Sequence, residues 1–318
     1  MTSKPKNLIN QSMKNKIPIT PGANLATILA TLFLIILPFL VGTWISNYTP
    51  YLEGNSFQSY VIIWIVTSIV TVAIALPSFK YFHQSFEKIP VGGILLFLLA
   101  CPIIGIYGLA SAPDLSLKML EHPEREHFRY SLLFIAEILF AGFILFLFRS
   151  ELLTIKKSIR WIMTVIFIMV FAEFTWEFTH HYLYPEGLRE WLGQGKNADE
   201  FGKNYDNFNA ITFGSIGRYF QFISIIWLSL YLYKLRQIKI WSPIILILIS
   251  LLGIVSATLI LVTKMNLPKG FEFLFLFFIP GIPFILLYWL GVALVTKFKK
   301  SEIQPEKDHA PRAFYSKL

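Results

Sequence analysis

The sequence predicts an all-α, polytopic integral membrane protein with eight transmembrane helices and both termini in the cytoplasm. Three observations predict it. First, 55% of the 318 residues are hydrophobic and only 15% are charged, against about 25% charged in an ordinary soluble domain. That is too few charges to cover a soluble surface and too much apolar material for one core. Second, eight apolar runs reach the roughly 20 residues needed to span a bilayer as a helix. Third, lysine and arginine gather on alternate sides of those runs, as the positive-inside rule requires.

The runs fall at 25–46, 59–79, 91–111, 130–148, 161–179, 212–233, 241–263 and 272–296. Backbone groups in lipid must bond within their own segment, so each is read as a helix. Residues 1–24 form a polar cytoplasmic tail and 25–296 the membrane domain. Residues 297–318 form a basic cytoplasmic tail. A cleavable signal peptide is not expected, because the polar start leads into a run long enough to span.

Basic residues set the orientation. Lys4, Lys6, Lys14 and Lys16 precede the first run; Lys80 and Lys88 follow the second. Arg149, Lys156, Lys157 and Arg160 follow the fourth, and Lys234, Arg236 and Lys239 follow the sixth. With the tail after the eighth run, this side holds 19 of the 28 basic residues. An even number of helices then places both ends inside. The net charge of +9 is explained by that rule and by anionic lipid headgroups. Membrane lipids are the expected partners, and nucleic acid is not. A single cysteine, Cys101, excludes an intrachain disulfide and a zinc cluster.

The longest connection, 180–211, lies outside. It is rich in aromatics, and 186–194 reads as a short amphipathic helix at the outer interface. A tandem repeat of four plus four helices is suggested by Thr43-Trp44 before Glu53-Gly54 and by Thr175-Trp176 before Glu186-Gly187. Phe148 to Glu151 and Phe298 to Glu302 add a second matching pair.

Ionisable groups within spans cost roughly 2.5–3.5 kcal/mol each at the helix centre, so the few present carry information. Glu173, Glu177 and His180 stand at i, i+4 and i+7, within about 60° on one helix face. Glu137 lies about two turns inside the fourth run and Arg218 about two turns inside the sixth. The orientation puts them all in the outer third of the membrane. Three carboxylates against one guanidinium leave an excess negative charge, which calls for protons, a divalent metal, a cationic substrate or water.

Glu177 to His180 is also an E-x-x-H pattern, repeated by Glu124 to His127. Paired motifs of this kind, with lone glutamates, supply carboxylate-bridged metal sites in helical bundles. A divalent metal on His180, Glu177, Glu124 and His127 is therefore one expectation. A salt-bridged or solvated helix end is the plainer one. Arg218 lies in GSIGRYF, where Gly214, Ser215 and Gly217 allow close helix contact. It reads either as a buried partner of Glu137 or Glu173, or as an anion clamp. Trp176 joins it on the substrate side.

The eighth run reads FLFFIPGIPFILLYW. Pro280 and Pro283 must interrupt its hydrogen-bond ladder, giving a kink or a discontinuous helix lining a cavity. His83 with Glu87 reads as a solvated loop.

Three functions fit. One is an enzyme acting on a lipid or lipid-linked substrate at the outer face, by hydrolysis or group transfer. Glu173, Glu177 and Glu137 would be catalytic there, and Arg218 and Trp176 would bind substrate. The second is a small-solute transporter, and the third a non-catalytic membrane partner.

Overall fold

A computed structural model describes residues 21–48, 56–80, 117–150, 152–153, 155–279 and 281–296. The fold is all-α, and the described residues contain no strand. Helices α1 (Pro21–Ser46) and α2 (Phe57–Lys80) come first, and a short 3₁₀ turn at Leu117–Glu121 precedes α3 (Glu124–Arg149). Then follow α4 (Lys157–Tyr182), α5 (Tyr184–Gly193), α6 (Ala198–Tyr205), α7 (Phe208–Lys234) and α8 (Trp241–Thr263). A second 3₁₀ turn leads into α9 (Phe275–Phe278) and α10 (Gly281–Val295). The span expected at 91–111, with Cys101, His83, Glu87, Glu53, Gly54, Glu151, Pro280, Glu302 and residues 1–20 and 297–318 of the two tails, lies outside the described residues.

Among the described residues, α3, α4 and α8 are long and apolar enough to cross a membrane. The pair Glu272–Phe278 and Gly281–Leu294, bent by 59°, counts as a fourth crossing if taken as one span. Helix α7 has 27 residues but falls short in apolarity, because Arg218, Gln221, Ser215, Ser224 and Ser229 sit on its buried side.

Polarity is arranged inside out. On α8, Leu248, Leu251, Val255 and Val262 face outward, Val262 at 74% exposure, while Ser242, Ser250 and Ser256 are fully buried. Helices α3 and α4 also turn Ile138, Trp161, Ile162 and Ile168 outward. A water-soluble bundle would bury these residues first.

Short links make α3 and α4 antiparallel, and likewise α7 and α8. The links 150–156 and 235–240, with the flanking Arg149, Lys157, Arg160 and Lys234, therefore share one end of the bundle. Helices α5 and α6 close the other end. Helix α10 is threaded against α1, α7 and α8. Its Phe284 packs between α3 and α4, 5.3 Å from the Phe140 ring and 4.5 Å from that of Phe174.

Prolines create backbone needs that neighbouring helices meet. Pro38 has no N–H, so the carbonyl of Leu34 four residues earlier has no helical donor. Tyr288 Oη donates to that carbonyl at 2.7 Å, and Trp289 Nε1 donates to the next, Ile35, at 3.1 Å. Both groups belong to α10, so the carbonyls beside Pro38 of α1 and the seat of α10 form one arrangement.

Candidate functional site

The polar site is centred on Arg218, which is fully buried. Helix α7 carries it about ten residues, or roughly 15 Å, below its capped N-terminus. Asn207 caps that end by accepting from the N–H groups of Asn209 and Ala210. Arg218 Nη2 donates to both carboxylate oxygens of Glu177 at 2.6 Å. Nη1 donates to Gln221 Oε1 at 2.7 Å and lies 3.5 Å from Glu173 Oε2. Gln221 Nε2 closes the ring by donating to the same Glu173 oxygen. The spacing explains the geometry: Glu173 and Glu177 are i, i+4 on α4, and Arg218 and Gln221 are i, i+3 on α7.

The fifth donor of Arg218 reaches the broken helix. Nε donates to the carbonyl of Phe278 at 2.5 Å, and the guanidinium lies over the Phe278 ring, 5.4 Å from its centroid. In a continuous helix that carbonyl would accept from Ile282 N–H. Here Ile282 N–H donates to Ile279 instead. The break thus frees a carbonyl at the end of α9, and the buried cation takes it. Ser256 Oγ on α8 likewise donates to the Leu274 carbonyl at 2.6 Å.

Gly217 is needed for this contact. A Cβ there would overlap Cγ and Cδ of Glu173. The close helix approach expected from the glycines of GSIGR is thus observed, against a carboxylate rather than an apolar side chain. Glu173 Oε1 is buried without a hydrogen-bond partner.

Glu137 on α3 is buried and accepts from Thr175 Oγ1 at 2.6 Å. It is near enough for its charge to act on Glu173. Arg218 pairs with Glu177 and Glu173 rather than with Glu137, whose hydrogen-bond partner is Thr175.

The two E-x-x-H patterns separate. Glu177 faces Arg218, whereas His180 Nε2 meets Asp206 Oδ1 at 2.9 Å. Glu124 pairs with His122 Nδ1 at 3.1 Å. His127 Nε2 lies 2.9 Å from Glu186 Oε1 in an ion-pair contact that lacks hydrogen-bond alignment. Among the described residues, no group of three or more His, Cys, Asp or Glu side chains is placed to hold a metal. Trp176 is half-buried, stacked on His180 at 5.3 Å and tilted against Phe213 at 4.6 Å.

The long connection forms a lid. The amphipathic helix expected at 186–194 is α5, Tyr184–Gly193, followed by α6. Trp191 Nε1 donates to the Asn197 carbonyl at 2.8 Å across the turn between them. Tyr184, Leu188, Phe201 and Met119 form a small apolar core. Three contacts hold it to the bundle: His127 with Glu186, His180 with Asp206, and Tyr205 Oη donating to the His180 carbonyl at 2.7 Å. Burial, and then the charge of Asp206, pushes the Tyr205 phenol up to about 12. The Tyr184 phenol moves in the same direction for the same reasons.

Gln221, Thr175, Asp206 and the Phe278 carbonyl were not anticipated as partners. Gln221 was legible as i+3 from Arg218, and Phe278 as two residues before Pro280. Asp206 lies 26 residues from His180, and nothing in the spacing joins them. Compared with known protein families, with curated proteins and with solved structures, the chain matches none.

Proposed function

We propose that the chain is a multi-pass cell-membrane protein of eight spans, with both termini cytoplasmic and a four-plus-four helix repeat, and that it carries a small solute across the bilayer. Lipids are its surrounding partner, and nucleic acid has no part in its work. One observation carries the reading: the only fully buried arginine among the described residues joins two carboxylates of α4 to the freed carbonyl of a broken helix.

Lipid cannot satisfy an interrupted backbone, so a break at membrane depth persists only where protein or water satisfies it. Carriers use such breaks because half-helix ends present partial charges to ions and solutes. Here α9–α10 cannot move against α4 without exchanging the partners of Arg218. A solute group that competes for Arg218, or neutralises Glu173 or Glu137, changes which arrangement is favoured. That is the differential interaction a conformational switch requires.

The outer-face enzyme reading asks for His180 beside Glu177. With His180 on Asp206 and Glu177 on Arg218, the geometry favours carriage over hydrolysis.

The test is uptake into vesicles containing purified protein, using labelled amino acids, amines, carboxylates and sugars as probes. Wild-type protein is expected to take up at least one class saturably. Arg218→Gln should lower that uptake roughly tenfold or more, since a charge-assisted hydrogen bond contributes about 1.5–3 kcal/mol. Uptake unchanged in a folded Arg218→Gln protein would remove Arg218 from the pathway. Cleavage of vesicle lipid without uptake would restore the enzyme reading.

A further inference from the structure

We infer that Glu173 is the proton-binding carboxyl of this site, a reading that rests on the transport function for its purpose but not for its chemistry. Three observations carry it. Glu173 Oε1 is buried with no hydrogen-bond partner, in a side chain 5% exposed. Its other oxygen is already engaged, accepting from Gln221 and lying 3.5 Å from Arg218 Nη1. A carboxylate in that position leaves one oxygen unsolvated, which is costly away from water. A carboxylic acid keeps the Gln221 bond and carries a proton where no donor reaches.

Charge balance points the same way. The charged groups acting on Glu173 are Glu137 from α3, Glu177 from α4 and Arg218 from α7. Glu177 takes Arg218 Nη2 with both oxygens, so the guanidinium's charge is largely matched before Glu173 is considered. Gln221 supplies a donor but no charge. One further positive charge brings Glu173 to neutrality. The cation assigned here is a proton taken from water and bound to Oε1, the buried oxygen that no donor reaches.

The space is also shaped for this side chain. Helix α7 has a glycine where any Cβ would overlap Glu173 Cγ and Cδ. The carboxyl is thus held directly against the helix that carries Arg218. Binding a proton at Glu173 removes negative charge next to the guanidinium whose Nε holds the Phe278 carbonyl. Loading Glu173 and the position of the broken helix are linked through that one side chain.

The test is pH-difference infrared spectroscopy of the full-length protein in lipid, together with vesicle flux followed by an internal pH dye. Wild-type protein is expected to show a carboxylic-acid carbonyl band that disappears as pH rises. Glu173→Gln should remove that band, Glu173→Asp should shift it, and Glu137→Gln should leave it in place. In vesicles, Glu173→Gln should abolish the internal pH change that accompanies solute addition to the wild-type protein. A band that survives in Glu173→Gln, or that Glu137→Gln abolishes instead, overturns the assignment. The aspartate variant keeps the test informative if the glutamine variant does not fold. The two readings fail separately: a Glu173 band without solute flux sinks transport alone, and flux without the band sinks the proton site alone.

Discussion

At the residue scale, the site depends on the fit between Gly217 and Glu173. Glycine in a helix interior costs about 1 kcal/mol relative to alanine, so replacing it in an open position would stabilise. Here the added Cβ would overlap the Glu173 side chain, and Glu173 is fixed through Gln221 and Arg218. Overpacking of this kind typically costs about 1–3 kcal/mol. Gly217→Ala is therefore expected to lower the thermal midpoint of the protein in detergent. Glu173→Ala should relieve much of that penalty in the double variant, because the pair shares one space. Additive losses in the cycle would show that Gly217 serves something other than Glu173.

At the element scale, the lid formed by α5 and α6 is fastened to the bundle by polar contacts. Tyr205 is central, donating to the His180 carbonyl and stacking on the His180 ring at 4.3 Å. Its phenol titrates at about 12 when folded, against 10.0 for the ordinary group. The sign follows from linkage. Between those values the unfolded chain has lost the phenolic proton while the folded lid keeps it. Stability of the lid therefore falls as pH rises above 10 and levels off beyond 12. Amide exchange across 184–205 is expected to accelerate in that window, relative to α8. Tyr205→Phe should flatten the dependence while raising exchange at neutral pH. An unchanged pH profile in that variant would remove Tyr205 as the cause. The lid also marks a limit of sequence reading. Helix α5 was legible from its amphipathic pattern, and the break before α10 from Pro280 and Pro283. Nothing local linked His180 to Asp206, or α10 to the carbonyls beside Pro38, because such pairings depend on where helices lie in space. The face carrying Glu173 and Glu177 was legible from the helical period. Which of the glutamates would take Arg218 was not, because that depends on the relative height of α4 and α7.

At the scale of the whole molecule, the expected topology rests on parity. Helices α3, α4 and α8 and the bent pair pass the length and apolarity test. Eight crossings further require α1, α2, α7 and the segment 91–111. Four of the eight lie between the N-terminal tail and the start of α4: α1, α2, 91–111 and α3. An even number of crossings places Ser12 and Ser158 on one side of the membrane, whereas a non-crossing 91–111 would separate them. Four more crossings return the chain to that side at Ser316. The lid, one helix beyond Ser158, must lie opposite. Single cysteines read this out directly once Cys101 is replaced by serine. In intact cells, a membrane-impermeant maleimide is expected to label Gln194→Cys, at the exposed turn between α5 and α6. Ser12→Cys, Ser158→Cys and Ser316→Cys should react only after the membrane is opened. External labelling of Ser12 with Ser158 protected would mean that an odd number of helices precedes α4. Labelling of Ser158 with Gln194 protected would invert the molecule, placing the lid and the Arg218 site nearer the cytoplasm and setting the basic loops against the positive-inside rule.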